Sequence, residues 1–247
     1  MGIYTNEGLV KHAEKALALN TKYMWGGVLR LIEKQYETLF KMYGTKSGTG
    51  YTAERWNELA KLKNKGVYGV DCVGLVKSYY WSGKADGGVG SPKYGAANYP
   101  DVNASYMFKM AKVKGKIKDL PEIPGLILFN AARPHVGIYI GKGLTIESTL
   151  GSRGDGVVKR PLDNLWADWF ECPYIEYPKK TDTKTKKYTL AFPAVVRKEA
   201  SNASTRLDRL PVDTVVEVVL GSETKDPKTG FTYVKIKEGW ITKSALG

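Results

Sequence analysis

The stretch GVYGVDCVGLVKSYYW, residues 66–81, decides how the chain reads. Counting from Cys72, apolar residues recur at Leu75, Val76, Tyr79 and Tyr80, one face of an α-helix. Asp71 stands where an N-cap belongs, because its carboxylate can accept a bond from an orphan amide one turn on. Cys72 is therefore expected in the first turn of a helix. There the free amides and the positive end of the dipole favour thiolate over thiol, against a free-thiol pKa of about 8.5. Cysteine is also a small hydrophobe that is often simply buried. The thiol counts as a nucleophile only if the chain supplies a base and a group to orient that base.

The chain has two histidines. His12 falls in an N-terminal helical stretch and reads as a surface residue. His135 opens HVGIYIG, residues 135–141, an alternating strand pattern. Alternation places His135, Gly137 and Tyr139 on one face, with Val136, Ile138 and Ile140 on the core side. The strand turns through GKG, 141–143, into LTIES, 144–148. If all three residues form the loop, Ile140 pairs with Leu144 and Gly137 with Glu147. Glu147 then shares the face of His135, on a diagonal of roughly 7–8 Å. A two-residue loop would flip Glu147 to the opposite face. Either residue alone has a plain structural reading: a satisfied histidine, or a solvent-facing strand carboxylate.

Composition bounds the function. At 247 residues with 43% hydrophobic content, the chain suits one large domain or a medium and a small one. No apolar run is long enough to span a bilayer. The N-terminus lacks the basic and apolar regions of a signal peptide, and Asn6 stands where a myristoylation signal has Ser or Thr. Two cysteines make no disulfide scaffold. Cys172, in FECPYIEYP, reads as a packed strand or turn residue. The net charge of +13 implies an anionic partner: nucleic acid, acidic membrane or polyanionic wall. The charge is spread, with 14 basic and 8 acidic residues from Lys179 onward. No zinc-finger spacing, helix-turn-helix or ribonucleoprotein motif accompanies it, so nucleic acid is favoured by charge alone. No metal site is expected, because one histidine and scattered carboxylates make a poor ligand set.

Helices are expected at 7–19, in VLRLIEKQYETLFKMY (28–43), in TAERWNELAKL (52–62) and from Cys72; KSGTG (46–50) separates two of them. Residues 83–105 read as a long loop of the kind that often carries function. GLILF (125–129), HVGIYIG and LTIES read as strands, which makes an α+β domain. PKKTDTKTKK (178–187) reads as a linker. The last 60 residues or so alternate strands and turns, as in a small all-β barrel or sandwich.

VDCVGLV, then PGLILF, then HVGIYIGKG with TIES, in that order, resembles the NlpC-type papain-like cysteine peptidases, which hydrolyse peptide bonds in bacterial peptidoglycan. KYMWGG (22–27) is similar to their Tyr-x-Trp-Gly-Gly segment. The resemblance covers roughly residues 8–178. It implies Cys72 as nucleophile, His135 as base and acid, and Glu147 as the orienting residue. Tyr23, Trp25, Asp71 and Val73 match positions that line the substrate site. The chain departs from the pattern at Val73, where Ser is usual, and at Glu147, where His is usual. PGLILF lacks the usual Asp after its Gly, and a helical insertion of about 40 residues separates WGG from Asp71-Cys72. VKIKEGWITKSALG (234–247) resembles bacterial SH3-like domains, which in wall hydrolases bind peptidoglycan.

These resemblances imply a papain-like (NlpC-type) α+β catalytic domain over 1–178, a linker over 179–187 and an SH3-like barrel over 188–247. The expected activity is cleavage of the wall stem peptide, between D-γ-glutamate and the diamino acid, without a cofactor. A wall hydrolase lacking an export signal resembles a bacteriophage endolysin, a monomer made in the host cytoplasm and released through holin pores. Two rivals stay open: an N-acetylmuramoyl-L-alanine amidase on the same fold, and a non-catalytic wall-binding protein with Cys72 buried. Arg-Gly-Asp in SRGDG (152–156) reads as a chance turn sequence.

Overall fold

The computed structural model describes residues 3–44, 52–132, 134–178 and 185–246. The chain divides into two compact units, Met1–Tyr177 and Pro178–Gly247. The first is mixed α+β. Its centre is helix α4, Cys72–Trp81, all ten of whose residues are buried. The sequence pattern marked one apolar face; the structure surrounds the helix, so its polar members need internal partners. Lys77 reaches the carboxylate of Asp101 at 2.5 Å, and the Ser78 hydroxyl donates to Leu75 O at 2.8 Å. Helix α1, Asn6–Leu17, is capped by the Thr5 side chain and contributes Leu9, Ala13 and Ala16 to the same core.

Against these helices lies a six-stranded antiparallel sheet. Its strands are β4 (Lys114–Lys116), β5 (Ile127–Asn130), β6 (His135–Gly141), β7 (Leu144–Gly151), β8 (Gly154–Pro161) and β9 (Asp168–Phe170), in the order β4-β9-β5-β6-β7-β8. Alternation along β6 sends Val136 and Ile138 into the helical core. Tyr139 packs on the other face with Leu126, Leu128, Trp166 and Trp169. Both faces are thus covered, one by helices and one by aromatic side chains.

The β6–β7 hairpin departs from the expected three-residue loop. Gly141 pairs with Leu144, so only Lys142 and Gly143 turn the chain, both with positive φ (53° and 67°), as a two-residue type I′-like turn requires. An irregularity between Tyr139 and Gly141, with Gly141 at φ 88°, absorbs the extra residue. Ile138 then faces Ile146, the same offset that sets Gly137 beside Glu147, and Glu147 stays on the face of His135. The bulge cancels the flip a two-residue loop would otherwise impose.

A second sheet joins β1 (Thr21–Tyr23), β2 (Val28–Leu31) and β3 (Tyr68–Val70) in the order β1-β3-β2. This corrects the expected helix over 28–43. Val28–Leu31 is a strand, a short 3-10 turn follows at Ile32–Lys34, and helix α2 spans only Tyr36–Tyr43. The buried Gln35 explains the switch. Its side-chain amide donates to Arg30 O (2.7 Å) and Gly69 O (2.8 Å), and its oxygen accepts from Val28 N (3.1 Å). Helix α3, Ala53–Ala60, packs on α2 through a separate small core of Met24, Ile32, Tyr36, Leu39, Trp56, Leu59 and Val67. The KSGTG break between these helices lies outside the described residues. Helix α5, Ala104–Met110, ends the long loop, which is pinned by Lys77–Asp101 and by Trp81 Nε1 donating to Tyr99 O (3.1 Å).

The second unit is built of strands. Strands β10 (Thr185–Thr189) and β13 (Val215–Val219) pair antiparallel. Strands β11 (Ala194–Arg197), β12 (Arg206–Leu210), β14 (Thr224–Lys225), β15 (Thr232–Ile236) and β16 (Gly239–Thr242) form a five-stranded sheet in the order β12-β11-β16-β15-β14. Leu190, Val196, Val218, Ile236 and Ile241 sit in its core. Among the described residues the sheets do not close into a barrel. Strand β10 begins inside the stretch read as linker; residues 179–184 lie outside the described residues.

Candidate active site

Cys72 is the first residue of α4, and Asp71 caps it. One Asp71 oxygen accepts from Gly74 N, the other from Gly26 N at 2.8 Å. The cap thereby ties the helix to the Trp25-Gly26-Gly27 turn. Asp71 N also donates to Gly27 O at 3.1 Å. The approach is close: a Cβ on Gly74 would stand 1.8 Å from Gly27 O, so only glycine fits there. Burial pushes the Asp71 carboxyl up, against the pull of Lys77 and the two amides.

The thiol of Cys72 lies beside the ring of His135, close enough to favour its charged form. His135 Nε2 lies 2.6 Å from Glu147 Oε2. Glu147 is fully buried and acts as acceptor, so Nε2 carries the hydrogen and Nδ1 is left to Cys72. Burial alone would lower the His135 pKa. Cys72 and Glu147 outweigh it and raise the value to about 9. Burial likewise pushes Glu147 up, while His135 and Arg153 pull it below the ordinary carboxylate value.

The Trp166 ring stacks on His135, with centroids 5.5 Å apart and planes at 15°. Gly137 makes this possible, since a Cβ there would stand 2.7 Å from the Trp166 ring. The stack fixes the imidazole plane from one side while Glu147 fixes its edge.

Cys72 opens into a cleft of about 700 Å³. Tyr23, Trp25, Asp71 and Val73 all line it, together with Arg30, Lys34, Met42, Tyr94, Asp101 and Asn103. Tyr23, Trp25, Asp71, Cys72 and Val73 therefore lie at the cleft, and His135 and Glu147 form a hydrogen-bonded pair beside Cys72. The loop of 83–105 contributes Tyr94 and 101–105. A bulge at the buried Leu29 (φ 52°) lets Val28 and Arg30, paired to the consecutive residues Val70 and Gly69, both reach the cleft.

Sequence reasoning missed several contributors. Arg153 donates to Glu147 Oε1 from Nε (3.0 Å) and Nη2 (2.6 Å), and from Nη1 to Asp163 (2.7 Å). Asp155, two residues on, accepts from Tyr23 N (3.0 Å) and pairs with Arg55 and Lys22. The Arg-Gly-Asp sequence is thus structural: Arg153 holds Glu147, and Asp155 holds the backbone of the cleft residue Tyr23. A signal was present: a strand carboxylate facing a core requires a countercharge, and Arg153 is the first cation after Glu147. His12 is not on the surface. It is fully buried, 2.8 Å from Ser78 Oγ and 3.2 Å from Gly88 O, and burial lowers its pKa to about 4. Cys172 is buried among Tyr80, Tyr99 and Tyr177, and burial pushes its thiol up to about 12. Among the described residues no group of three or more His, Cys, Asp or Glu could hold a metal, and no helix is long and apolar enough to cross a membrane.

No protein-family model matches the chain, and no curated protein does. Solved structures similar to it include the peptidoglycan hydrolase RipB from Mycobacterium tuberculosis, at 21% identity and TM-score 0.37, covering 70% of this chain and 67% of that one. The P60 domain of antigen MAP1204 from M. avium subspecies paratuberculosis matches at 20% identity and TM-score 0.37, covering 70% of this chain and 98% of that one. NlpC2 from Trichomonas vaginalis matches at 15% identity and TM-score 0.20, covering 51% and 44%.

Proposed function

We propose that the chain is a cysteine peptidase of bacterial peptidoglycan, with Cys72 as nucleophile, His135 as general base and acid, and Glu147 as the orienting residue. The carrying observation is the placement of Cys72 at a helix N-terminus, lining an open cleft and beside His135, whose other edge is hydrogen-bonded to the buried Glu147 at 2.6 Å. Cys72 gives its proton to His135 Nδ1. The thiolate attacks a substrate carbonyl carbon, and the carbonyl electron pair moves to oxygen. The Cys72 amide, an orphan donor of the first helical turn, stabilises that oxyanion. Collapse expels the amine, which takes the proton from His135 and leaves a thioester. Water, deprotonated by His135, then attacks the thioester and releases the acid and the thiol.

The bond most consistent with the cleft is D-γ-glutamyl to diamino acid. A γ-linked glutamate keeps a free α-carboxylate, which suits a wall carrying Arg30 and Lys34. The second unit serves as an SH3-like wall-binding domain. The net charge of +13 suits a wall rich in anionic polymer. In this reading the protein is a monomeric endolysin, made in the host cytoplasm, released through holin pores and acting on the wall without a cofactor.

The test is loss of turbidity of purified Gram-positive walls, wild type beside Cys72→Ala. Clearing by wild type alone supports the proposal. Clearing by both, or by neither on walls of several chemotypes, refutes it. Mass spectrometry of the fragments identifies the new amine and separates the peptidase from an N-acetylmuramoyl-L-alanine amidase.

A further inference from the structure

Glu147 faces a geometric problem that the Cys–His–Glu reading leaves unsolved. Its carboxylate is fully buried, and a carboxylate has two oxygens that either neighbour could take. The structure divides them. Among the described residues Oε2 bonds His135, while Oε1 takes both Arg153 bonds. Arg153 is held in turn: Nη1 is tied to Asp163, and its carbonyl accepts from Arg160 Nη1 at 3.2 Å. It stands at the β7–β8 turn, just before Gly154, which pairs with Gly151. Arg153 is not among the cleft-lining residues. The charged groups around Glu147 are therefore His135 from β6, Arg153 from the turn, Cys72 behind His135, and Asp163 and Arg160 behind Arg153.

We propose that Arg153 is a positioning residue: it reserves one oxygen of Glu147, directs the other at His135, and supplies the countercharge a carboxylate shut away from water requires. It touches neither substrate nor thiol and acts only through Glu147. Without it the carboxylate can rotate and protonates at higher pH, since desolvation then acts with one opposing partner fewer. The His135 imidazolium loses its charged partner at that same pH, and its pairing with Cys72 weakens.

The proposal rests on the Cys–His–Glu reading, so its test does not use wall cleavage. The probe is iodoacetamide, and alkylation of Cys72 is followed against pH by mass spectrometry of each cysteine peptide. Cys172, buried and with its thiol at about 12, stays silent as an internal control. Arg153→Met is expected to move the acid limb of Cys72 alkylation up by about one pH unit or more. Arg153→Lys keeps the charge without the fork, so its limb falls between the two. An unshifted acid limb in Arg153→Met overturns the proposal; if that variant does not fold, an unshifted limb in Arg153→Lys does so. If wild-type Cys72 instead alkylates along an ordinary free-thiol curve, the Cys–His pairing itself fails, an outcome distinct from the Arg153 result.

Discussion

Replacing Glu147 by Gln changes one atom and should disable the site. Glu147 accepts through both oxygens, from His135 on one side and Arg153 on the other. Glutamine has one oxygen, so its amide must turn N–H groups toward one of the two donors. Arg153 brings two donors and a full charge and wins the oxygen. The amide nitrogen then faces His135 Nε2 and forces the proton to Nδ1, the nitrogen that must receive the thiol proton. The native preference for a charged ring, from 6.5 to about 9, is about 3 kcal/mol at 1.36 kcal/mol per unit. A unit charge about 4 Å away is worth about 4 kcal/mol at an effective dielectric of 20, and the opposing charge of Arg153 offsets part of it. The loss should be about 1–2 pH units, with kcat down roughly 10²–10⁴-fold. NMR of the imidazole Cε1–H signals reads this directly. The chain has two histidines, and their values, about 4 for His12 and about 9 for His135, lie far apart. A wild-type His135 titrating near 6.5, or a Glu147→Gln protein whose His135 does not move, would refute the reasoning.

The same two histidines should make stability peak near pH 6.5. His135 keeps a proton that the unfolded chain loses, so its contribution fades as pH rises from 6.5 through about 9; buried His12 refuses a proton that the unfolded chain takes, so stability also falls from 6.5 down to about 4. Urea midpoints across pH 4–9.5 check this, and a midpoint rising through pH 8–9 contradicts it. Gly137→Ala drives a Cβ to 2.7 Å from the Trp166 ring, so a loss of about 1–3 kcal/mol in urea unfolding is expected, along with reduced kcat. Arg55→Ala removes the bonds to Asp155 and to Tyr23 O (2.7 Å); KM should rise several-fold while the His135 titration stays put, and a shifted titration would show that the cleft and the triad are coupled.

Helix α4 was legible because its signals are local: an Asp cap, a Cys in the first turn, and apolar spacing read within sixteen residues. The β6 strand was legible for a similar reason, since His135 and Ile138 alternate without interruption. What lay hidden depended on distant partners. Leu29, Ile32 and Tyr36 carry helical spacing, yet Val28–Leu31 is a strand because β3, some forty residues later, offers an edge and Gln35 stitches the join. The hairpin loop was misjudged by one residue because left-handed Gly141 allows a bulge that alternation cannot reveal. His12 looked exposed because Ser78 and Gly88, which bury it, are far away in sequence. Arg153 was passed over because its tripeptide is common and its partner precedes it across a turn.

The two sides of the cleft rest on different foundations. Cys72 and its helix stand on the main core, whereas α2, which presents Leu39 and Met42, is packed on α3 through a satellite core of its own. Mutation in the satellite acts first on the helical lining of the cleft and reaches Cys72 only through the Gly26–Asp71 contact. What the cleft admits and what Cys72 can do are thus set by different packing, so substitutions among α2 and α3 should alter selectivity before they alter reactivity.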